Sequence, residues 1–338
     1  MKKILIVWAF FLFLLSGAYP IPRGSAKPDD TPIVTPGADP TAYTIGYTKY
    51  RNFTTLVSWE NFLGLDSATG SINNLVWNPV NTFAFTYDRG SDKLATTITN
   101  TQGVWSFDYL NYSTQVLTLK GDLAYFYLNA LNYLQIRITV ENNPATVITL
   151  VDVTLDGHPL GDFEGVPGSS RDWMVTGYDL SAGFTISGTL VTSGVTSSSP
   201  EHNMVEIFMA HVDHQGPVAS NLTASPDPVE LNAPLSVSAT IDDTATGRSG
   251  IASAEYSLDS GASWWPMQAQ DNAFDSAVED VEAAFSAPDS AGTYEVCVRG
   301  QDTSANSGVG TCTQFTVNLP SEATDYQLYF PLSSNGGS

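Results

Sequence analysis

Phe83, Phe85 and Tyr87 occupy alternate positions, the polar stretch Asp88-Arg89-Gly90-Ser91-Asp92 breaks the run, and Lys93 to Thr99 resumes it around Leu94 and Ile98. Side chains two apart share one face of a strand, so this pattern predicts two half-buried strands joined by a Gly-containing turn. Leu134, Ile136, Ile138 and Val140 repeat the alternation. Strands are also expected at Val104–Tyr109, Gln115–Lys120, Thr146–Leu155, Trp173–Tyr178, Phe184–Val191 and Met204–Val212, with a short helix at Trp59–Leu65 or Ala124–Leu131. These elements form a first domain over 41–213. The pattern ends in a turn at His214-Gln215-Gly216-Pro217 and restarts, with strands expected at Asn221–Ala224, Leu235–Ile241, Ala252–Leu258, Ser263–Met267, Val281–Phe285, Thr293–Arg299 and Cys312–Val317. Seven short strands over 217–318 match an immunoglobulin-like sandwich. The fold class expected is all-β: two β-sandwiches in series, a jelly-roll-like N-terminal domain and an immunoglobulin-like C-terminal domain.

The ends read differently. Met1-Lys2-Lys3 precedes an uncharged run from Ile4 to Ala18 that closes in Ser16-Gly17-Ala18. A basic start, a short apolar run and small closing residues predict a secretory signal peptide over 1–18. The run is shorter than the ~20 residues of a membrane-spanning helix, so no membrane insertion is expected once it is cleaved. Residues 19–40 carry six prolines and little that is apolar, which predicts an extended linker. Residues 319–338 form a C-terminal tail.

Charge narrows the partners. With 13 Lys and Arg against 35 Asp and Glu, the net charge of −22 falls to −24 once Lys2 and Lys3 are removed. Such a chain repels phosphate backbones and anionic lipid, so nucleic acid is not an expected partner. A protein or polysaccharide ligand and soluble cations remain open. Both cysteines, Cys297 and Cys312, lie in the second domain, and in an exported chain they are expected to form a disulfide. Placing Cys297 opposite Cys312 in a hairpin sets Tyr294 opposite Phe315 and Val298 opposite Thr311. The bond then lies on the outer face, across the last two strands, with Val296, Val298, Phe315 and Val317 turned inward.

Ser249 to Asp259, Ser263-Trp264, Gly292 to Gly300 and Asp302-Thr303-Ser304-Ala305-Asn306 resemble a bacterial immunoglobulin-like module found in secreted surface proteins and in the C-terminal regions of exported hydrolases. The resemblance implies a spacer or a binding accessory. Tyr326 to Leu332, which reads Tyr-Gln-Leu-Tyr-Phe-Pro-Leu, resembles the aromatic-Leu-Pro-Leu tails of exported proteins of Chloroflexi-type bacteria. The hairpin at Phe83–Ile98 and the stretch Gly183–Thr189 are similar to β-sandwich modules that precede varied surface anchors.

Sites of chemistry are sparse. No Gly-x-Ser-x-Gly elbow occurs, and His211 and His214 at the end of a strand point to opposite faces. Asp152, Asp156, Asp162, Glu164 and Asp172 cluster in sequence, but Asp156-Gly157 reads as a turn within a polar loop. Calcium, which takes loop oxygens, is the cofactor that the acidic turns could hold. The candidate ligands are Asp242 and Asp243 after one strand and Asp302 after another; no other cofactor is expected. Trp264 and Trp265 cannot both enter one core, being adjacent in a strand, so at least one is a candidate ligand contact. The expected function is a non-catalytic binding or adhesion protein, secreted or held at the cell surface, with the second domain as a spacer. The alternatives are a carbohydrate-binding module with exposed aromatics in the first domain, or a secreted hydrolase.

Overall fold

The computed structural model describes residues 31–53, 61–64, 70–72, 74–196 and 201–320. The expected signal peptide, residues 19–30 of the linker and residues 321–338 of the tail lie outside them. The chain divides into two compact units between His211 and Val212.

In the first unit the elements run β1 (Ile33–Pro36), β2 (Tyr43–Arg51), β3 (Asn61–Gly64), β4 (Gly70–Ser71), β5 (Val80–Asp88), β6 (Lys93–Asn100), β7 (Gly103–Leu110), α1 (Tyr112–Leu128), β8 (Tyr133–Val140), β9 (Val147–Leu155), β10 (His158–Glu164), β11 (Ser169–Thr176), β12 (Phe184–Ser193) and β13 (Met204–His211). The described strands form a seven-stranded sheet in the order β1-β11-β8-β13-β2-β3-β4 and a six-stranded sheet in the order β10-β9-β12-β5-β6-β7. The late pairings are nested, β8 with β13, β9 with β12 and then the β10-to-β11 step between sheets. This is the winding of a jelly roll. The alternating positions meet between the sheets: Phe83, Phe85 and Ile98 from one, Ile136, Ile138, Val205 and Ile207 from the other. Tyr50 crosses the same core, its hydroxyl 2.9 Å from Oγ1 of Thr96. Burial pushes that phenol up to about 12.

Three expectations are corrected here. Ile33–Pro36 is not linker but an edge strand paired antiparallel with β11. Asn61–Gly64, inside the Trp59–Leu65 stretch read as a helix, is a strand paired with β2. Gln115–Lys120, read as a strand, belongs to α1, which is broken at Gly121 (φ 82°, ψ −174°). Tyr112, Val116, Ala124, Tyr127 and Leu128 form the buried stripe of α1, at helical spacing. Its N-terminus is held from a distance, since Oδ1 and Oδ2 of Asp92 accept from the backbone N and Oγ of Ser113 at 2.8 and 2.7 Å. The expected helix within Ala124–Leu131 matches the second half of α1.

The second unit contains β14 (Val218–Ser225), β15 (Val229–Glu230), β16 (Pro234–Asp242), β17 (Ile251–Ser257), β18 (Trp265–Pro266), β19 (Gln268–Ala269), β20 (Val278–Ser286), β21 (Gly292–Asp302) and β22 (Thr311–Asn318). The sheet orders β14-β16-β20-β19 and β15-β22-β21-β17-β18 are those of an immunoglobulin-like sandwich, strands A, B, E and D facing strands G, F and C. At the start of β21 the hydroxyl of Tyr294 donates to the carbonyl of Ser290 at 2.9 Å, a tyrosine corner of the type these sandwiches use. Of the expected strand Ser263–Met267 only Trp265–Pro266 pairs, as β18 against β17; β19 follows it in the other sheet against β20, with Met267 buried between the two.

The last two strands pair as expected, Cys297 with Cys312, Tyr294 with Phe315 and Val298 with Thr311. The two sulfurs are bonded. Val296, Val298, Phe315 and Val317 fill the core while the cysteines take the other face. Cys297 is nonetheless only 3% exposed there; its Cβ and the Trp264 ring both border Gly310, where an added Cβ would meet the ring at 3.2 Å. The cysteines are 15 positions apart, and closing a loop of that length stabilises by about 3 kcal/mol in the chain-entropy model. Equilibrium unfolding of Cys297→Ser/Cys312→Ser should therefore show the second unit folded but weakened by no more than about that amount. Loss of the fold at neutral pH would show the bond to be a folding requirement.

Candidate functional site

Three carboxylates converge at one end of the second sandwich. Asp213 lies just before β14, Asp243 just after β16 and Asp302 at the end of β21. All three are buried, and their oxygens lie within 4.8 Å of one another. Two of the three calcium candidates, Asp243 and Asp302, are thus brought together. Asp242 is not among them, because its Oδ1 accepts from the backbone N and Oγ1 of Thr244 at 2.7 and 2.6 Å. Neighbours in a strand point opposite ways, and Asp242 takes the outer side. In its place stands Asp213, which the sequence reading assigned to the end of the first domain. Its position four residues ahead of Pro217, where the new strand pattern starts, is the one local signal that could have placed it.

Uncharged donors fix the cluster. Asp213 accepts from Oγ of Ser249 at 2.5 Å and from the backbone N of Gln215 at 3.0 Å. Asp243 accepts from the backbone N of Ser249 at 2.6 Å and from Oγ1 of Thr246 at 2.5 Å. Asn306 donates to both oxygens of Asp302, from its backbone at 2.8 Å and its side chain at 2.9 Å, and its Nδ2 also reaches the Asp213 carbonyl at 3.0 Å. Gly247 closes the ring, since an added Cβ would stand 2.0 Å from the Asp213 carboxyl carbon. The loop between β16 and β17, the loop between β21 and β22, and the segment leading into β14 are therefore tied at one point.

Full negative charges this close repel by at least about 3 kcal/mol per pair at an effective dielectric near 20. Burial and, after it, the charges of Asp213 and Asp302 raise the Asp243 carboxyl to about 6, against the donation from Thr246 and Ser249. Burial likewise raises Asp302, with Asp213 adding to the effect and Asn306 opposing it. A proton or a cation relieves the crowding, and an all-oxygen donor set of carboxylates suits a hard cation such as calcium. The other grouping of metal-type side chains, Glu295 with Cys297 and Cys312, is the disulfide and offers no thiolate.

The remaining candidates lie apart. Trp264 spreads over the Arg299 guanidinium, 4.1 Å from ring centroid to carbon, and is half-buried. Trp265 is 42% exposed and leans on Tyr256 at a centroid distance of 5.8 Å. Neither enters the core. His211 stacks on Tyr127, its Nδ1 2.6 Å from the Ala130 carbonyl, whereas His214 is exposed. Among the acids weighed for hydrolysis, Asp162 accepts from the backbone N of Asp152, Asp156 accepts from Tyr178 and Thr185, and Asp172 sits on the other sheet with Arg137.

No family model matches the chain, and no curated protein matches it. Among solved structures it is similar to the fibronectin(III)-like modules of Clostridium thermocellum CbhA, at 12% identity and a TM-score of 0.25 over 68% of this chain and 87% of that one. It is also similar to the glycoside hydrolase domain of Endo-D from Streptococcus pneumoniae, at 10% identity and a TM-score of 0.21 over 84% of this chain and 37% of that one.

The raised Asp243 carboxyl fixes a sign. With chelator present, the folded protein holds a proton from its ordinary 3.8 up to about 6 that the unfolded chain has released. Stability from this group therefore falls as pH rises through that window and is lowest above it. The stability difference between wild type and Asp243→Asn, measured by urea unfolding in EDTA at about pH 4.5 and 7.5, should move in favour of the variant at the higher pH. A difference independent of pH would remove the charge crowding.

Proposed function

We propose that this chain is an extracellular, non-catalytic binding protein whose first sandwich makes the contact and whose immunoglobulin-like unit is a spacer braced by calcium. The observation that carries the reading is Asp213: the segment leading into the second sandwich is held to two of its loops through a shared carboxylate cluster. A cation there would hold the leading segment and the two loops to the second sandwich, and a spacer needs that stiffness more than it needs a reactive group. The extracellular assignment draws support from the disulfide and from the expected signal peptide. The non-catalytic assignment draws support from the separate local duties of Asp156, Asp162, Asp172 and His211.

Calcium should slow proteolysis within 212–217 of the chain lacking its signal peptide and raise the unfolding temperature of the second unit. At ~100-fold excess over the dissociation constant the gain is about 2.7 kcal/mol. Magnesium, which demands a tighter octahedral shell, should do less, and Asp243→Asn should respond to neither ion. Cleavage and unfolding indifferent to calcium in the wild type would overturn the brace. Release of new reducing ends or peptides from polymer substrates would overturn the non-catalytic reading.

A further inference from the structure

The outward face of the seven-stranded sheet carries two parallel rows of side chains. Cross-strand register aligns Met174 of β11, Gln135 of β8, Phe208 of β13 and Tyr47 of β2 in one row, and Asp172, Arg137, Glu206 and Lys49 in the next. The first row is apolar and aromatic except at Gln135: Phe208 and Tyr47 lie side by side with centroids 5.9 Å apart. The second alternates in sign, acid, base, acid, base. Its ends are fixed, with Nε of Arg137 at 2.8 Å and Nε2 of Gln135 at 2.6 Å from Oδ1 of Asp172, and Nζ of Lys49 at 3.0 Å from Oε2 of Glu201 and 3.4 Å from Oε1 of the buried Glu206. The Arg137 guanidinium carbon also stands 5.7 Å from the Phe208 ring centroid, tying the two rows together.

A row of alternating sign has no net attraction for a charged polymer. A polyanion meets Asp172 as well as the overall −22 of the chain, and a polycation meets Arg137; Glu206 is buried and Lys49 nearly so, Lys49 pairing with both Glu206 and Glu201. Hydroxyl groups both donate and accept, so they can find fixed partners at Asp172 and Arg137, the partly exposed end of the charged row. The carbon-bound hydrogens of a sugar ring can meanwhile lie on Phe208 and Tyr47, and few polar groups beside an aromatic surface is the usual make-up of a ligand site. Asp172 and Arg137 stand one strand spacing apart, about 4.8 Å, a step comparable to one sugar ring. We propose that this face binds an uncharged polysaccharide laid across β11, β8, β13 and β2. The inference rests on the binding-protein reading above and names its ligand class.

Affinity electrophoresis of the chain lacking its signal peptide, in gels containing mixed-linkage β-glucan, xylan, galactomannan, dextran or polygalacturonate, tests it. Retardation is expected with at least one of the four neutral polymers, and it should persist in about 0.5 M NaCl, where exposed charges are screened. Phe208→Ala and Tyr47→Ala should each weaken it roughly tenfold, Gln135→Ala should weaken it by less, and Trp265→Ala, in the other unit, should leave it intact. Near-ultraviolet circular dichroism identifies a variant that has failed to fold. Should Phe208→Ala do so, Tyr47→Ala and Gln135→Ala still decide the matter. No retardation by any neutral polymer, retardation by polygalacturonate alone, or full retardation of folded Tyr47→Ala would overturn the proposal. Failure here together with calcium protection of 212–217 would leave the binding-protein reading standing, whereas newly formed reducing ends would remove that reading and not the face.

Discussion

Side chains alternate along a strand, so the register that sends Leu134, Ile136 and Ile138 of β8 and Val205, Ile207 and Met209 of β13 into the core also decides what those strands show to the other side. A slip of one residue would put Arg137 and Glu206 between the sheets, where an ion leaving water costs several kcal/mol. The core thus sets the position of the outer rows as well. In the second unit the same parity rule turns Val296 and Phe315 inward and leaves Cys297 facing Cys312.

Much of this was legible in the sequence because period-two burial is a local signal. The hairpin of β5 and β6, the alternation of β8 and the outer-face position of the Cys297–Cys312 bond all follow from it. What was hidden depends on partners far along the chain. Gln115–Lys120 contains apolar residues close enough together to pass for a strand, and the carboxylate that caps the helix, Asp92, lies 21 positions from Ser113. Ile33–Pro36 looks like linker because its ordering comes from β11, more than a hundred residues on. Asp213 belongs to a cluster whose other members follow β16 and end β21, a meeting that only the sandwich arranges.

Charge plays opposite parts in the two units. On the outer sheet face acids and bases alternate and neutralise one another, whereas at the end of the second sandwich three acids share one buried volume and raise the affinity of Asp243 for a proton. The first arrangement is complete in itself and leaves a surface of fixed donors and acceptors. The second is under electrostatic load, which the donors from Thr246, Ser249 and Asn306 oppose.

The edge strand β1 has a further bearing on how the molecule survives its own synthesis. An open sheet edge is a template for pairing with a neighbouring chain. On one side the seven-stranded sheet would end at β11, an eight-residue strand, were Ile33–Pro36 not laid along it. Because β1 precedes β11 in the chain, the segment that covers this edge is made before the edge exists. The shorter edge that stands over Trp173–Thr176, four residues ending in a proline, is thus already made when the longer one appears.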